Sequence, residues 1–119
     1  MARHLNQSQI KSALKRGKSV ECFLGSLVDG QIAWLELRPS GSSVELWRFD
    51  AFDDGDEDYL DVYSFGSVAE DFPDDPLARF GDAVSALSYA QDNESAAPDR
   101  WVNQFVIQDE YRDSLAAKK

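Results

Sequence analysis

Residues 43 to 65 constrain the fold most strongly, because two alternating apolar runs flank an acidic centre that contains Asp54 and Gly55. An Asp-Gly pair between such runs favours a two-residue hairpin turn with positive φ angles. Folding the segment at this pair sets Phe49 opposite Leu60, so that apolar side chains meet across the two strands. The pattern therefore predicts a β-hairpin whose tip is acidic.

Two further turn signals extend this hairpin into a larger sheet. Asp29-Gly30 repeats the hairpin signal, and residues 39–42 form a turn rich in Pro, Ser and Gly. Together the three turns predict an α+β fold built on a four-stranded antiparallel β-meander. The predicted strands cover residues 20–27, 30–38, 43–52 and 58–65.

Both faces of the predicted sheet are apolar. One face carries Cys22 and Leu35 and would also carry Tyr63 and Phe65, whereas the other sets Trp34 beside Trp47. An antiparallel sheet with one face in water normally alternates apolar and polar residues. We therefore expect both faces to be covered, by helices of the same chain in preference to a second copy.

Three helical segments are available for this cover. Asn6 followed by Gln9 is typical of a capping box and predicts an N-terminal helix over residues 7–16. Asp75 and Pro76 resemble a helix start and predict a helix over residues 76–91. A C-terminal helix is predicted over residues 108–117, after a segment around Trp101 that suits either a helix or a strand. We expect one α+β domain over residues 1–119.

The composition is that of a folded acidic protein. The chain has 119 residues, of which 43% are hydrophobic, and a formal net charge of −10. This length supports a single core. Neither a membrane-length apolar run nor the apolar segment of a signal peptide occurs, so we expect a cytoplasmic location. Cys22 is the sole cysteine, which excludes an internal disulfide.

The acidic residues are unevenly distributed. Of the 22 Asp and Glu residues, 11 lie between Asp50 and Asp75, where no Lys or Arg occurs. Such a field repels nucleic acids and membrane surfaces and attracts a basic protein. A surface that serves solubility alone is the alternative. The side chains that we predict to bind a basic partner are Asp53, Asp54, Asp56, Glu57, Asp58, Glu70 and Asp71.

The sequence carries no recognisable catalytic set. His4 is the only histidine, and Cys22 lies in a predicted strand with its side chain towards the core. Acids between Asp50 and Asp61 share part of the spacing of a calcium loop, but Phe52 stands at loop position 3, which normally supplies a ligand. We therefore expect no enzymatic activity, no cofactor and no metal.

In size, acidity and lack of a catalytic set, the profile is similar to that of bacterial immunity proteins, which neutralise a toxin partner. This similarity concerns size and charge and assigns no residue. It implies a protein-binding module that inhibits or regulates a basic partner and is monomeric when free. The alternatives are a structural domain that forms a homodimer through one sheet face, and a small enzyme or ligand-binding domain that uses carboxylates.

Overall fold

The computed structural model describes residues 3–117, which form a five-stranded sheet and three α-helices. The strand order is β4-β3-β2-β1-β5, and every neighbouring pair is antiparallel. The predicted α+β class with an antiparallel sheet is confirmed, but the sheet has five strands where four were predicted. The elements are α1 (Gln7–Lys15), β1 (Val20–Gly25), β2 (Gln31–Ser40), β3 (Ser43–Phe52), a short 3-10 helix (Val62–Ser64), β4 (Ala78–Phe80), α2 (Ala83–Glu94), β5 (Trp101–Asn103) and α3 (Ile107–Ala117).

The first three predicted strands are present, although their registers differ from the prediction by two residues. Trp34 lies opposite Phe49 instead of Trp47, and Cys22 lies opposite Leu35. A shift of two residues keeps every side chain on its predicted face, because side chains alternate with a period of two. Trp34 and Trp47 therefore share a face, as predicted, and Phe49 stacks against both rings.

The predicted hairpin at Asp54-Gly55 and the strand over residues 58–65 are wrong. After β3 the chain leaves the sheet and forms a long connection over residues 53–77, which we call the acidic loop. Gly55 does not have a positive φ. A Cβ at this position would lie 2.4 Å from both the Tyr59 carbonyl oxygen and the Phe65 ring. Glycine is thus required here for close packing and not for a hairpin turn.

Other segments occupy the free edge of β3. Ser67 forms an isolated bridge with Ala51, and β4 pairs with the beginning of β3, so that Phe80 lies opposite Val44. Because this edge is taken, the apolar residues of the predicted fourth strand pack on a face of the sheet instead. Val62 is fully buried there.

Each face of the sheet is covered by the chain's own elements. One face, which we call the helix face, packs against α1 and α2. The opposite face carries Trp34, Trp47 and Phe49, and we call it the aromatic face. It is covered by α3 and the acidic loop, which contributes Tyr63 and Phe65. These two residues were predicted on the helix face, and the prediction fails because their strand does not form.

The helices agree with the prediction at both ends of the chain but not between them. Asn6 and Gln9 form the predicted capping box of α1, with both hydrogen bonds at 2.8 Å. The second helix is present, but its predicted start at Pro76 is wrong, because residues 78–80 form β4 and α2 begins at Ala83, with Asp82 as its N-cap. The fully buried side chains of α2 are alanines, whereas Val84 is 41% exposed.

Substituting Trp34 tests the packing of the aromatic face. Trp34→Ala is expected to lower the free energy of unfolding by about 3 to 5 kcal/mol, because a ring that is 2% exposed would leave a cavity. Urea denaturation measures this change. Leu27→Ala is the control, because Leu27 is 57% exposed and its loss should change stability by less than about 0.5 kcal/mol. Similar effects of the two substitutions would contradict this packing.

Candidate functional site

Five of the seven predicted partner-binding acids lie in the first part of the acidic loop. Asp54, Asp56, Glu57 and Asp58 are exposed, whereas Asp53 is half-buried. The Tyr111 hydroxyl of α3 donates a hydrogen bond to Asp53. Burial, together with this carboxylate, raises the pKa of Tyr111. Asp53 therefore attaches the loop to α3, a role that its sequence position did not indicate.

The other two predicted acids lie next to a side chain that turns inward. Glu70 and Asp71 are exposed and immediately precede Phe72. The Phe72 ring packs on the aromatic face, 5.9 Å from the Phe49 centroid and 6.3 Å from the Trp34 centroid. These two acids thus directly precede a residue that lines a cavity on the aromatic face.

A cavity of about 240 Å³ lies between the aromatic face, the acidic loop and the turn before α3. Its wall combines aromatic rings with two carboxylates and a guanidinium group. Cavities that combine apolar walls with a few polar groups are typical binding sites. The lining residues are Glu21, Trp34, Glu36, Arg38, Phe49, Tyr63, Phe72, Gln104 and Phe105.

Two buried carboxylates face each other in this wall. Glu21 of β1 lies directly opposite Glu36 of β2, and the two residues are 1% and 4% exposed. Like charges at directly opposite positions destabilise a sheet, and a buried carboxylate is costly unless it is paired. Arg38 compensates Glu36 through two hydrogen bonds of 3.0 and 3.1 Å.

Glu21 has neutral hydrogen-bond donors. Its Oε1 accepts from the Tyr63 hydroxyl and, at 3.0 Å, from the Phe105 backbone N–H. Burial raises the pKa of Glu21 to about 7, against the opposing effect of these two hydrogen bonds. The same burial, with the neighbouring Glu21 carboxylate, raises the pKa of Tyr63. Glu21 therefore changes its charge near neutral pH.

The wall also contains a strained backbone and an unpartnered donor. Phe105 has φ +77°, which is rare for a bulky residue, and its side chain is 62% exposed. Such strain persists where the surroundings enforce it, and it is concentrated at functional sites. The indole N–H of buried Trp34 finds no acceptor within the described part of the chain. An unsatisfied buried donor of this kind requires an explanation.

The sequence contained a signal for part of this site. Glu21 lies two residues before Phe23 in β1, and Glu36 two residues after Trp34 in β2, so all four side chains share the aromatic face of correctly predicted strands. A charged residue at such an inward position is unusual. A register shifted by two residues, as predicted for these strands, would set Glu21 opposite Arg38 and so conceal the conflict. No local pattern placed Phe72 in the wall, because its position depends on the path of the acidic loop.

Another buried carboxylate, outside the cavity, has a structural role. Glu110 of α3 is 3% exposed and lies 2.8 to 3.3 Å from basic groups of Arg3, His4 and Arg100. These contacts attach the segment before α1 to α3. Because the guanidinium groups of Arg3 and Arg100 both contact this carboxylate, its charge is already compensated.

Residues 3–117 show neither a reactive thiol nor a metal site. Cys22 is buried on the helix face, and burial raises the pKa of its thiol to about 12, so that it stays protonated. No group of three or more His, Cys, Asp or Glu side chains in this range is arranged to hold a metal ion. In the same range, no helix has the length and apolar character needed to cross a membrane.

Replacing Glu21 by Gln tests the charge state of the cavity. Because the fold raises the pKa of Glu21 from 4.5 to about 7, it favours the protonated form. The stability contributed by this group is therefore complete below pH 4.5 and is lost as the pH rises to 7. Between pH 5 and pH 8 the wild type should lose about 2 to 3 kcal/mol more stability than Glu21→Gln, whose amide cannot ionise.

Urea denaturation at both pH values measures this difference. Glu45→Gln is the control, because Arg79 holds the pKa of Glu45 below its usual range, outside the pH window used. The control should therefore change stability equally at pH 5 and pH 8. A pH-independent effect of Glu21→Gln would show that Glu21 does not titrate near neutrality.

Known proteins offer no guide to this site. No family model, curated protein or solved structure matches this chain significantly. The role of the cavity and the acidic loop therefore has to be inferred from their geometry and charge.

Proposed function

We propose that the protein is a binding module whose acidic loop engages a basic surface of a partner protein and thereby neutralises or regulates that partner. The observation that carries the proposal is the concentration of exposed carboxylates in one segment. Of the 11 acids between residues 50 and 75, nine are exposed, and the segment has no Lys or Arg. Such a field accelerates the encounter with a positively charged surface and weakens as salt screens it.

The attachment of the acidic loop to the body supports this role. Val62 and Phe65 are buried on the aromatic face, and Asp53 accepts a hydrogen bond from Tyr111. Asp54 accepts a further hydrogen bond from the backbone N–H of Gly66. Because these contacts order the loop before binding, less conformational entropy is lost when a partner docks.

An inhibitor of a basic toxin is one role that fits this surface. In that role the protein would act in the cytoplasm of the producing cell, as expected for an immunity protein. Carboxylate-only catalysis has weaker support, because the exposed acids of the loop lack the burial that tunes a general acid. Of the buried carboxylates, those of Glu21 and Glu36 line the cavity, whose aromatic walls are better suited to binding.

The free protein is expected to be monomeric at micromolar concentration. α1 and α2 cover one face of the sheet, and α3 with the acidic loop covers the other, so neither face needs a second copy. Light scattering after size-exclusion chromatography measures the mass. A mass of twice the chain at every concentration tested would favour the homodimer alternative instead.

Neutralising loop carboxylates tests the proposed surface. The triple variant Asp58→Asn, Glu70→Gln and Asp71→Asn should bind a short oligolysine peptide about tenfold more weakly at low salt, because three exposed charges are lost. The association rate should fall more than the dissociation rate rises, since exposed charges mainly steer the encounter. Stopped-flow fluorescence at several salt concentrations measures both rates.

A matched control removes the same charge elsewhere. Asp29, Asp92 and Asp99 are exposed acids outside the loop, and replacing all three by Asn lowers the negative charge equally. This control should change oligolysine affinity by less than about twofold. Equal weakening by the two triple variants would mean that net charge alone attracts the peptide, and the acidic loop would then not be a specific binding surface.

A further inference from the structure

We propose that the cavity walled by Trp34, Tyr63 and Phe72 receives one guanidinium group, supplied by an arginine side chain of the basic partner. The identity of the donor rests on the proposed function, because a basic partner supplies the arginine. The cavity then acts at short range, whereas the acidic loop acts at long range.

The charges of the wall favour a cation. Glu21 and Glu36 contribute two buried carboxylates, and Arg38 compensates Glu36. The donors to Glu21 are the Tyr63 hydroxyl and the Phe105 N–H, which carry no charge. A bound cation would compensate the second carboxylate and so relieve the like-charge pairing across β1 and β2.

The chain already shows how this face holds a guanidinium group. Arg38 binds both carboxylate oxygens of Glu36 and lies 4.1 Å from the centroid of the Trp47 ring. The rings of Trp47, Phe49 and Trp34 form a row, with successive centroid distances of 6.4 and 5.4 Å and interplanar angles of 8° and 22°. Glu21 lies in the same cavity wall as the rings of Tyr63 and Phe105, so a second carboxylate with aromatic neighbours lies beside the one that holds Arg38.

A guanidinium group suits this combination better than an ammonium group does. It is planar and weakly hydrated, and it donates two parallel hydrogen bonds to one carboxylate while stacking on aromatic rings. The exposed ring of Phe105 offers apolar contact to the methylene groups of the arginine side chain. A peptide also brings carbonyl oxygens, the acceptors that the Trp34 indole N–H lacks within residues 3–117.

The position of the cavity connects it with the acidic surface. Glu70 and Asp71 are exposed, and the next residue, Phe72, lines the cavity. A cation attracted by these two carboxylates would therefore be brought close to the aromatic wall. These two predicted partner-binding acids would thus speed the approach of a highly basic partner to the cavity, whereas a single blocked arginine, with one charge, gains little from them.

Nuclear magnetic resonance titration with a blocked arginine, N-acetylarginine N-methylamide, tests the proposal directly. At pH 8 we expect saturable shifts of the Trp34 indole N–H and the Phe105 amide. The blocked citrulline analogue, which is neutral but nearly isosteric, and the blocked lysine analogue should bind at least about tenfold more weakly. Comparable affinity for either analogue would overturn the assignment to guanidinium.

Two variants separate the cavity from the acidic loop. Glu21→Gln should weaken blocked arginine at least about tenfold, whereas the loop triple variant of Asp58, Glu70 and Asp71 should change it by less than about twofold. Circular dichroism of Glu21→Gln verifies that it is folded. Equal affinity of Glu21→Gln and wild type, or shifts confined to residues outside the cavity, would overturn the site whatever the loop does. If blocked arginine binds as expected but the loop triple variant binds oligolysine as tightly as the wild type does, the proposed function fails and the guanidinium site stands.

The pH dependence provides an independent readout. The charged or titratable groups that line the cavity with Glu21 are Glu36 and Arg38 of β2 and Tyr63 of the acidic loop, whereas Gln104 and Phe105 carry no charge. Because Glu21 ionises near pH 7, affinity for blocked arginine should rise by up to about tenfold from pH 6 to pH 8. The same titration with Glu21→Gln should be flat, and a parallel rise in both proteins would contradict the role of Glu21.

Discussion

The need to remove both faces of one sheet from water determines the rest of this structure. Strands β1 to β3 are apolar on each side, and a sheet exposed in this way would be unstable or would associate with itself. α1 and α2 cover the helix face. Of the three α-helices within residues 3–117, α3 alone covers the aromatic face, so the acidic loop completes the cover with Val62, Phe65 and Phe72. A strongly charged segment is thereby held against the body of the protein.

The aromatic face itself carries charged groups among its rings, and the functional interpretation depends on this mixture. Where the acidic loop, β2 and the turn before α3 meet, a cavity remains with Glu21 and Glu36 in its wall. The cost of burying two opposed carboxylates is reduced in two ways. Arg38 compensates one carboxylate, and burial favours the protonated form of the other. Such a conflict with local rules is typical of a functional site rather than of a region selected for stability alone.

The two parts of the proposed function act over different distances. Exposed carboxylates act through water over roughly a Debye length, about 8 Å at physiological salt, and they influence how fast a basic partner arrives. The cavity acts only in contact, where stacking and paired hydrogen bonds select a planar cation. The proposed partner is thus attracted by its overall charge and selected by a single side chain.

What the sequence determined by itself was local. Alternation with a period of two defined β1 to β3 and the face of every side chain in them, and this result survived a register error of two residues because the alternation has the same period. The Asn6–Gln9 capping box defined α1, and the concentration of acids in one segment was evident from composition.

The pairing of β3 was decided by the tertiary structure, because Gly55 is required by contacts with Tyr59 and Phe65 that no local pattern reveals. Closing a longer loop costs little additional entropy, so distant segments compete for a strand edge almost equally, and their packing decides between them. The cavity depends on that outcome, because Phe72 and Tyr63 reach Trp34 only when the acidic loop folds over the aromatic face.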